Sequence, residues 1–313
     1  MLLEIPYNSF EIEVTTRCNA ACPACARTRL NEEGILKVRD LPAETFIKMF
    51  DAYNLKDKLF FFCGTLGDAM THPDIIEILE FLVYKDSKID IHTNGGTRNK
   101  KFWVELAELS KLSGGNLNVR WNVDGVDTND QYRVNVPFDK VFSNMEEYVK
   151  YGGASTWYYI EFGWNTHEIL RAKEIATNLK IPFYLRKAWR NSNEGFSTMR
   201  FIPKDMVLDP DTISCKHKSR PELFIDVDGS IWPCCFIRDE NGSGGVDFLY
   251  LKYGDSFNVV SEQNTLLDIC NHPFYTGDLE KNGWNKDDPM FLSRCYRSCG
   301  DKGSRLAKNM ELI

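Results

Sequence analysis

The chain has 313 residues, a net charge of −7, and 43% hydrophobic and 13% aromatic residues, enough to bury a sizeable core in one large domain or in a medium and a small one. The charge argues against a protein that coats nucleic acid, which needs a basic face. No apolar run approaches the roughly 20 residues that span a bilayer, so no membrane partner is expected.

The amino-terminal stretch MLLEIPYNSF has no cationic segment, and Glu4 and Pro6 interrupt its apolar run, so no secretory signal is read. Ten cysteines without an export signal point to a reducing cytoplasm, where thiols serve metals or redox chemistry more often than disulfides. From there the chain alternates. Apolar runs at 11–16 (EIEVTT), 58–63 (KLFFFC), 88–93 (KIDIHT), 117–123 (LNVRWNV), 157–162 (WYYIEF) and 182–187 (PFYLRK) read as strands. Between them lie helical patterns, beginning near residue 41 and at Pro73 and then covering 99–112, 138–151 and 167–180. Six such β–α steps predict an α/β fold with a parallel sheet covered by helices. The alternation stops near residue 190, so a partial (β/α)6 barrel is expected rather than a full eight-fold one. Residues 1–190 would form the barrel, and the polar stretch 191–205 a linker. Residues 206–313 would form a small region with short strands, glycine-rich stretches at 242–245 and 282–284, and six of the ten cysteines. So weakly periodic a region needs other support, which metal can supply.

Each expected strand delivers polar or glycine residues to its carboxyl end, where parallel α/β folds place their sites. The first leads into Cys18, Cys22 and Cys25 in a CxxxCxxC loop, and the second into Cys63-Gly64-Thr65-Leu66-Gly67-Asp68. The third ends in Thr93-Asn94-Gly95, the fourth in Asn122-Val123-Asp124-Gly125, and the fifth leads to Trp164-Asn165. Three thiolates leave one coordination position open, unlike a metal site that only braces a fold.

This ordered set resembles the radical S-adenosylmethionine (SAM) enzymes over roughly residues 9–190. The resemblance implies that Cys18, Cys22 and Cys25 hold a [4Fe–4S] cluster whose open iron is chelated by the amino and carboxylate groups of SAM. It implies SAM contacts from Gly64, Thr65, Gly67 and Asp68, from Thr93 and Asn94, from Asn122, Asp124 and Arg133, and from Asn165. Asp68 stands where the family's glycine-rich segment has Glu. The family's aromatic residue before the third cysteine is Ala24 here, so adenine packing falls to Ala26 or the nearby loop. Cys215, Gly229 and Cys234 resemble the opening of the SPASM/twitch extension, with FIDVDGSIWPCC (224–235) as a hairpin turning at Asp228-Gly229. A single-cluster twitch arrangement implies Cys215, Cys234, Cys295 and Cys299 as ligands of an auxiliary [4Fe–4S] cluster.

The chemistry so implied is reductive cleavage of SAM to a 5′-deoxyadenosyl radical. That radical abstracts hydrogen from a small metabolite or short peptide, giving net oxidation or rearrangement with a flavodoxin- or ferredoxin-like electron donor. A peptide maturase and a non-catalytic iron–sulfur or zinc module stand as alternatives. Four cysteines serve zinc as well as iron–sulfur, and Cys235 or Cys270 either replaces Cys299 or is a small buried residue. Cys63 reads as core, and His72 and His92 as structural. Arg186, Lys187 and Arg190 form either a surface cluster or an anion site.

Overall fold

A computed structural model describes residues 2–188, 209–238 and 244–300 of the chain. The linker expected at 191–205, Arg190 and the first two residues of the 242–245 stretch lie outside these residues. Six parallel strands follow in chain order: β1 (Ser9–Ile12), β2 (Leu59–Phe62), β3 (Lys88–Thr93), β4 (Leu117–Asn122), β5 (Ala154–Glu161) and β6 (Phe183–Lys187). Two more come from the carboxy-terminal region, β7 (Glu222–Ile225) and β8 (Ile231–Trp232). All eight form one sheet in the order β6-β5-β4-β3-β2-β1-β7-β8. β7 runs parallel to β1, with Ser9 opposite Glu222 and Ile12 opposite Ile225, and β8 pairs back antiparallel. The hairpin turn falls where the sequence puts it: Gly229 has φ of +82°, a conformation that side chains disfavour.

Helices cover the outer face: α1 (Ala26–Glu32), α2 (Ala43–Phe50), α3 (Ile75–Tyr84), α4 (Lys100–Leu112), α5 (Asn129–Tyr132), α6 (Phe138–Lys150) and α7 (Ile169–Asn178). Their register is set by apolar spacing. α4 buries Trp103, Leu106, Ala107 and Ser110, and α6 buries Val141, Asn144, Met145 and Tyr148, each at i, i+3, i+4 and i+7. Asn99 caps α4 by accepting the Phe102 N–H at 3.1 Å, and Pro137 precedes α6. Phe10, Phe46, Phe50 and Phe60 meet with ring centroids 5.0–5.2 Å apart and seal the β1–β2 wall against α2. Among the described residues no helix is long and apolar enough to cross a membrane.

Strand alternation sorts the inner face from the outer. On β4, Leu117, Val119 and Trp121 are buried against the helices, while Asn118, Arg120 and Asn122 face the lumen half-buried. β2 and β3 follow the same rule, so the lumen carries polar groups where a packed core would carry apolar ones.

Candidate functional site

Beyond Ile12 the chain leaves the sheet but stays buried through Thr16. The Glu13 carboxylate turns into the loop that follows β2. It accepts the N–H groups of Thr65, Leu66 and Gly67, each at 2.8 Å, and the Thr65 hydroxyl. A fully buried carboxylate is tolerable because donors surround it. The two glycines are steric requirements of this wrap. A Cβ on Gly64 would stand 2.7 Å from Glu13 Oε1, and one on Gly67 1.8 Å from the Thr15 carbonyl oxygen. Sequence reasoning missed Glu13; its signal was an acid inside an apolar strand run.

Asp68 closes the same loop. Its Oδ1 accepts the Met70 N–H at 3.1 Å, while its Oδ2 accepts the Thr93 hydroxyl at 3.0 Å and the Asn94 N–H at 2.8 Å. Both oxygens are thus engaged by protein donors, and Asp68 joins the loop after β2 to the turn after β3. Asn94 extends the chain of contacts: its Nδ2 donates to Asn19 Oδ1 at 3.0 Å and lies 3.6 Å from Cys18 Sγ. The turn is held from behind by Asn144, whose amide donates to the Gly95 carbonyl at 2.8 Å.

The cysteine loop sits on this support. Cys18 Sγ also accepts the Ala20 N–H at 3.4 Å, and the Cys25 N–H bonds the Cys22 carbonyl at 3.0 Å, where α1 begins. Burial, with the Asp68 carboxylate adding to it, pushes the Cys18 thiol up to about 12. Burial raises the Cys22 thiol too, while Arg133 pulls it the other way. A bare thiolate is costly in such a place, and a coordinated metal removes the cost by deprotonating the thiol. Three half-buried thiols with Arg27 and Arg133 in electrostatic reach fit a soft, negatively charged thiolate centre. Among the described residues, no three His, Cys, Asp or Glu side chains are grouped to hold a single metal ion.

The fourth segment reaches the same rim. Arg133 and Asp124 form a buried ion pair at 2.8 Å, and the Ala21 N–H bonds the Val134 carbonyl at 3.0 Å. Asp124 Oδ1 accepts the Ile160 N–H at 2.8 Å. Asn165 is fully buried: its Nδ2 donates to the carbonyls of Asp124 and Ile160, at 2.6 and 2.9 Å, and its Oδ1 accepts the Phe162 N–H at 2.8 Å. It therefore braces the ends of β4 and β5. Glu168, a second residue the sequence did not flag, holds the 124–127 turn by accepting the N–H groups of Val126 and Asp127. Asn122 lies below, 3.4 Å from His92 Nδ1.

The carboxy-terminal cysteines gather separately. Cys215 and Cys234 each stand just before a short helix, Lys216–Ser219 and Cys235–Arg238, and backbone N–H groups of those helices bond both sulfurs. Cys295 and Cys299 lie on the helix Ser293–Cys299. The Cys295 thiol is raised first by burial and then by Cys234, Cys215 and Cys299, so the four are mutual neighbours. The two spare thiols point elsewhere: Cys235 hydrogen-bonds Glu11, and Cys270 lies in reach of Lys58.

Residues 12–174, a little over half of the chain, match the sequence model of the radical SAM superfamily. A 100-residue stretch is 28% identical to a tungsten-containing aldehyde ferredoxin oxidoreductase cofactor-modifying protein of Pyrococcus furiosus, covering 31% of this chain and 27% of that one. In fold the chain is similar to Streptococcus suis SuiB bound to S-adenosylmethionine, with a TM-score of 0.56, 15% identity, and 92% of this chain and 77% of that one covered. SuiB bound to the precursor peptide SuiA gives a TM-score of 0.55 at 13% identity, covering 92% of this chain and 66% of that one. The enzyme anSMEcpe with bound AdoMet gives 0.54 at 13% identity, covering 98% of this chain and 100% of that one.

Proposed function

The chain belongs to the radical SAM superfamily, and from that premise we propose that it is a modifying enzyme acting on a small metabolite or short peptide held in the barrel lumen. Cys18, Cys22 and Cys25 would hold the [4Fe–4S] cluster, with SAM bound against it. When bound, cluster and SAM supply a hydrogen-abstracting 5′-deoxyadenosyl radical through reductive cleavage of SAM. The chain's own share is to hold the thiolates, orient the ligand and exclude water. Asn94 sets the amide beside Cys18, and Arg133 offsets negative charge near Cys22. Asp68 acts as a positioning residue through Asn94 and Thr93.

The observation that carries this reading is the direct linkage Asp68–Asn94–Cys18, which brings the ends of three strands to one point. SuiB bound to a precursor peptide supports keeping a short peptide among the substrates. Cys215, Cys234, Cys295 and Cys299 are the proposed auxiliary [4Fe–4S] ligands, supported by the backbone donors aimed at Cys215 and Cys234. A flavodoxin- or ferredoxin-like protein would deliver the electron. The test is anaerobic reconstitution followed by dithionite and SAM. The Cys18→Ala, Cys22→Ala, Cys25→Ala triple variant should make no 5′-deoxyadenosine, and persistent formation refutes the assignment.

A further inference from the structure

The lumen is electrically divided. On its β1/β7 wall stand Glu11 and Glu222, on strands held in register by the Ser9–Glu222 pairing, and the Ser9 hydroxyl donates to Glu222 at 3.4 Å. Neither carboxylate has a basic partner within ion-pair distance among the described residues; Lys216 lies only in electrostatic reach of Glu11. Burial, followed by the Glu222 charge, pushes the Glu11 carboxyl up to about 7, the mark of an acid lacking a cation. On the β4–β6 wall stand Arg120 and Arg186. Arg120 is neutralised by Asp90, which accepts its Nε at 2.9 Å, and it donates to the Tyr158 hydroxyl at 2.6 Å. Arg186 lies 4.8 Å above the Tyr158 ring and has no acidic partner within ion-pair distance among the described residues. Lys187 points to the other face, as strand alternation requires.

The two walls face each other across a short gap. The Cys63 thiol, expected to be core, lies half-buried on the lumen side of the end of β2. It is raised to about 12 by burial and by Glu11 and Glu13, while Arg186 and Arg120 act against them. Charges on β1, β4 and β6 therefore reach one atom. His92 between the walls is lowered to about 4 by burial and Arg120, so it is neutral near pH 7 and compensates neither side.

We infer that the lumen takes a zwitterionic substrate, with a carboxylate seated at Arg186 on the β6 wall and an ammonium or guanidinium group seated at Glu11 and Glu222 on the β1/β7 wall. A guanidinium fork matches a carboxylate, and each lumen charge lacks the partner that such a ligand brings. The inference rests on reading the lumen as the substrate chamber of a radical SAM enzyme. The chemistry is shared by free amino acids and by peptide segments with one basic and one acidic side chain.

The test uses anaerobically reconstituted protein with SAM and isothermal titration. The probes are L-lysine, L-arginine and an N-acetylated, C-amidated peptide containing one lysine and one glutamate. Each is paired with an amine-acylated and a carboxyl-esterified form. At least one parent probe should bind tenfold or more tightly than either of its blocked forms; which parent does so separates metabolite from peptide. Glu11→Gln should abolish the penalty for amine blocking alone, and Arg186→Gln the penalty for esterification alone. Glu222→Gln replaces Glu11→Gln if that variant fails to fold. A panel in which no parent probe binds more tightly than its blocked forms overturns the inference, as do variants that weaken every probe alike. Substrate-free 5′-deoxyadenosine formation in the same preparations separates the two claims. Cleavage without charge selectivity sinks this inference alone, and absence of cleavage sinks the reading beneath it.

Discussion

Gly67 and Glu13 are locked together: the Gly67 N–H donates to Glu13 Oε1 at 2.8 Å, and no side chain fits at Gly67 because the Thr15 carbonyl already occupies that space. The loop thus takes its shape from an acid 54 residues earlier. Glu13→Gln puts an N–H₂ group among N–H donors. It should cost about 1–3 kcal/mol of stability, the penalty of unsatisfied buried donors, read from urea midpoints. Gly67→Ala should be worse, because backbone must move.

Asp68 and Asn94 share one hydrogen-bonded chain to Cys18. Asp68→Asn and Asn94→Ala should each weaken SAM binding by reconstituted protein, by about 1–2 kcal/mol. Because the residues are in contact, the double variant should lose less than the sum of the single losses. Additive losses in a SAM titration would show that they act independently.

The Asp124–Arg133 pair is buried, so removing one partner strands the other. Arg133→Met should destabilise the protein by about 3–5 kcal/mol, and adding Asp124→Asn should restore part of the loss. Denaturation of the wild type, two single variants and double variant decides it.

The raised Glu11 gives a pH signature. Its folded value, about 7, lies above the ordinary 4.5, so the folded state holds a proton that the unfolded state has released. Its contribution to stability therefore falls as pH rises from about 4.5 to about 7 and is flat above. Glu11→Gln should remove that slope. An unchanged slope in urea midpoints measured across this window would assign it to another group.

Metal content tests the carboxy-terminal ligands. Reconstituted protein should carry about eight irons per chain as two [4Fe–4S] clusters, and Cys234→Ala about four. The same variant should still cleave SAM in uncoupled fashion, while its carboxy-terminal region becomes protease-sensitive. Stoichiometric zinc beside four irons would overturn the auxiliary cluster.

Much of the barrel was legible because buried parallel strands are written as apolar runs, and KIDIHT at 88–93 matches β3 residue for residue. The first strand was read two residues late and four too far, since Glu13 to Thr16 are as buried as a strand without being in one. β7 was invisible as a sheet member: four residues have no period, and the partner that gives them meaning lies at Ser9–Ile12. At the rim, motif order located Cys18, Asp68, Asn94 and Arg133, yet hydrogen-bond partners are facts of three dimensions. Asn165, expected against SAM, has its amide engaged by Asp124, Ile160 and Phe162. Cys63, expected in the core, faces the lumen.

The pairing of β1 with β7 also orders events during synthesis. Ser9 and Glu222 are 213 positions apart, so at about 5–20 residues per second the ribosome needs on the order of ten to forty seconds between them. Throughout that interval β1 has β2 on one side and an open row of backbone donors and acceptors on the other. The nascent barrel is therefore a template for any extended segment that reaches it before its own does. Slowing translation between residues 60 and 222 should lengthen that exposure and raise the demand for chaperones.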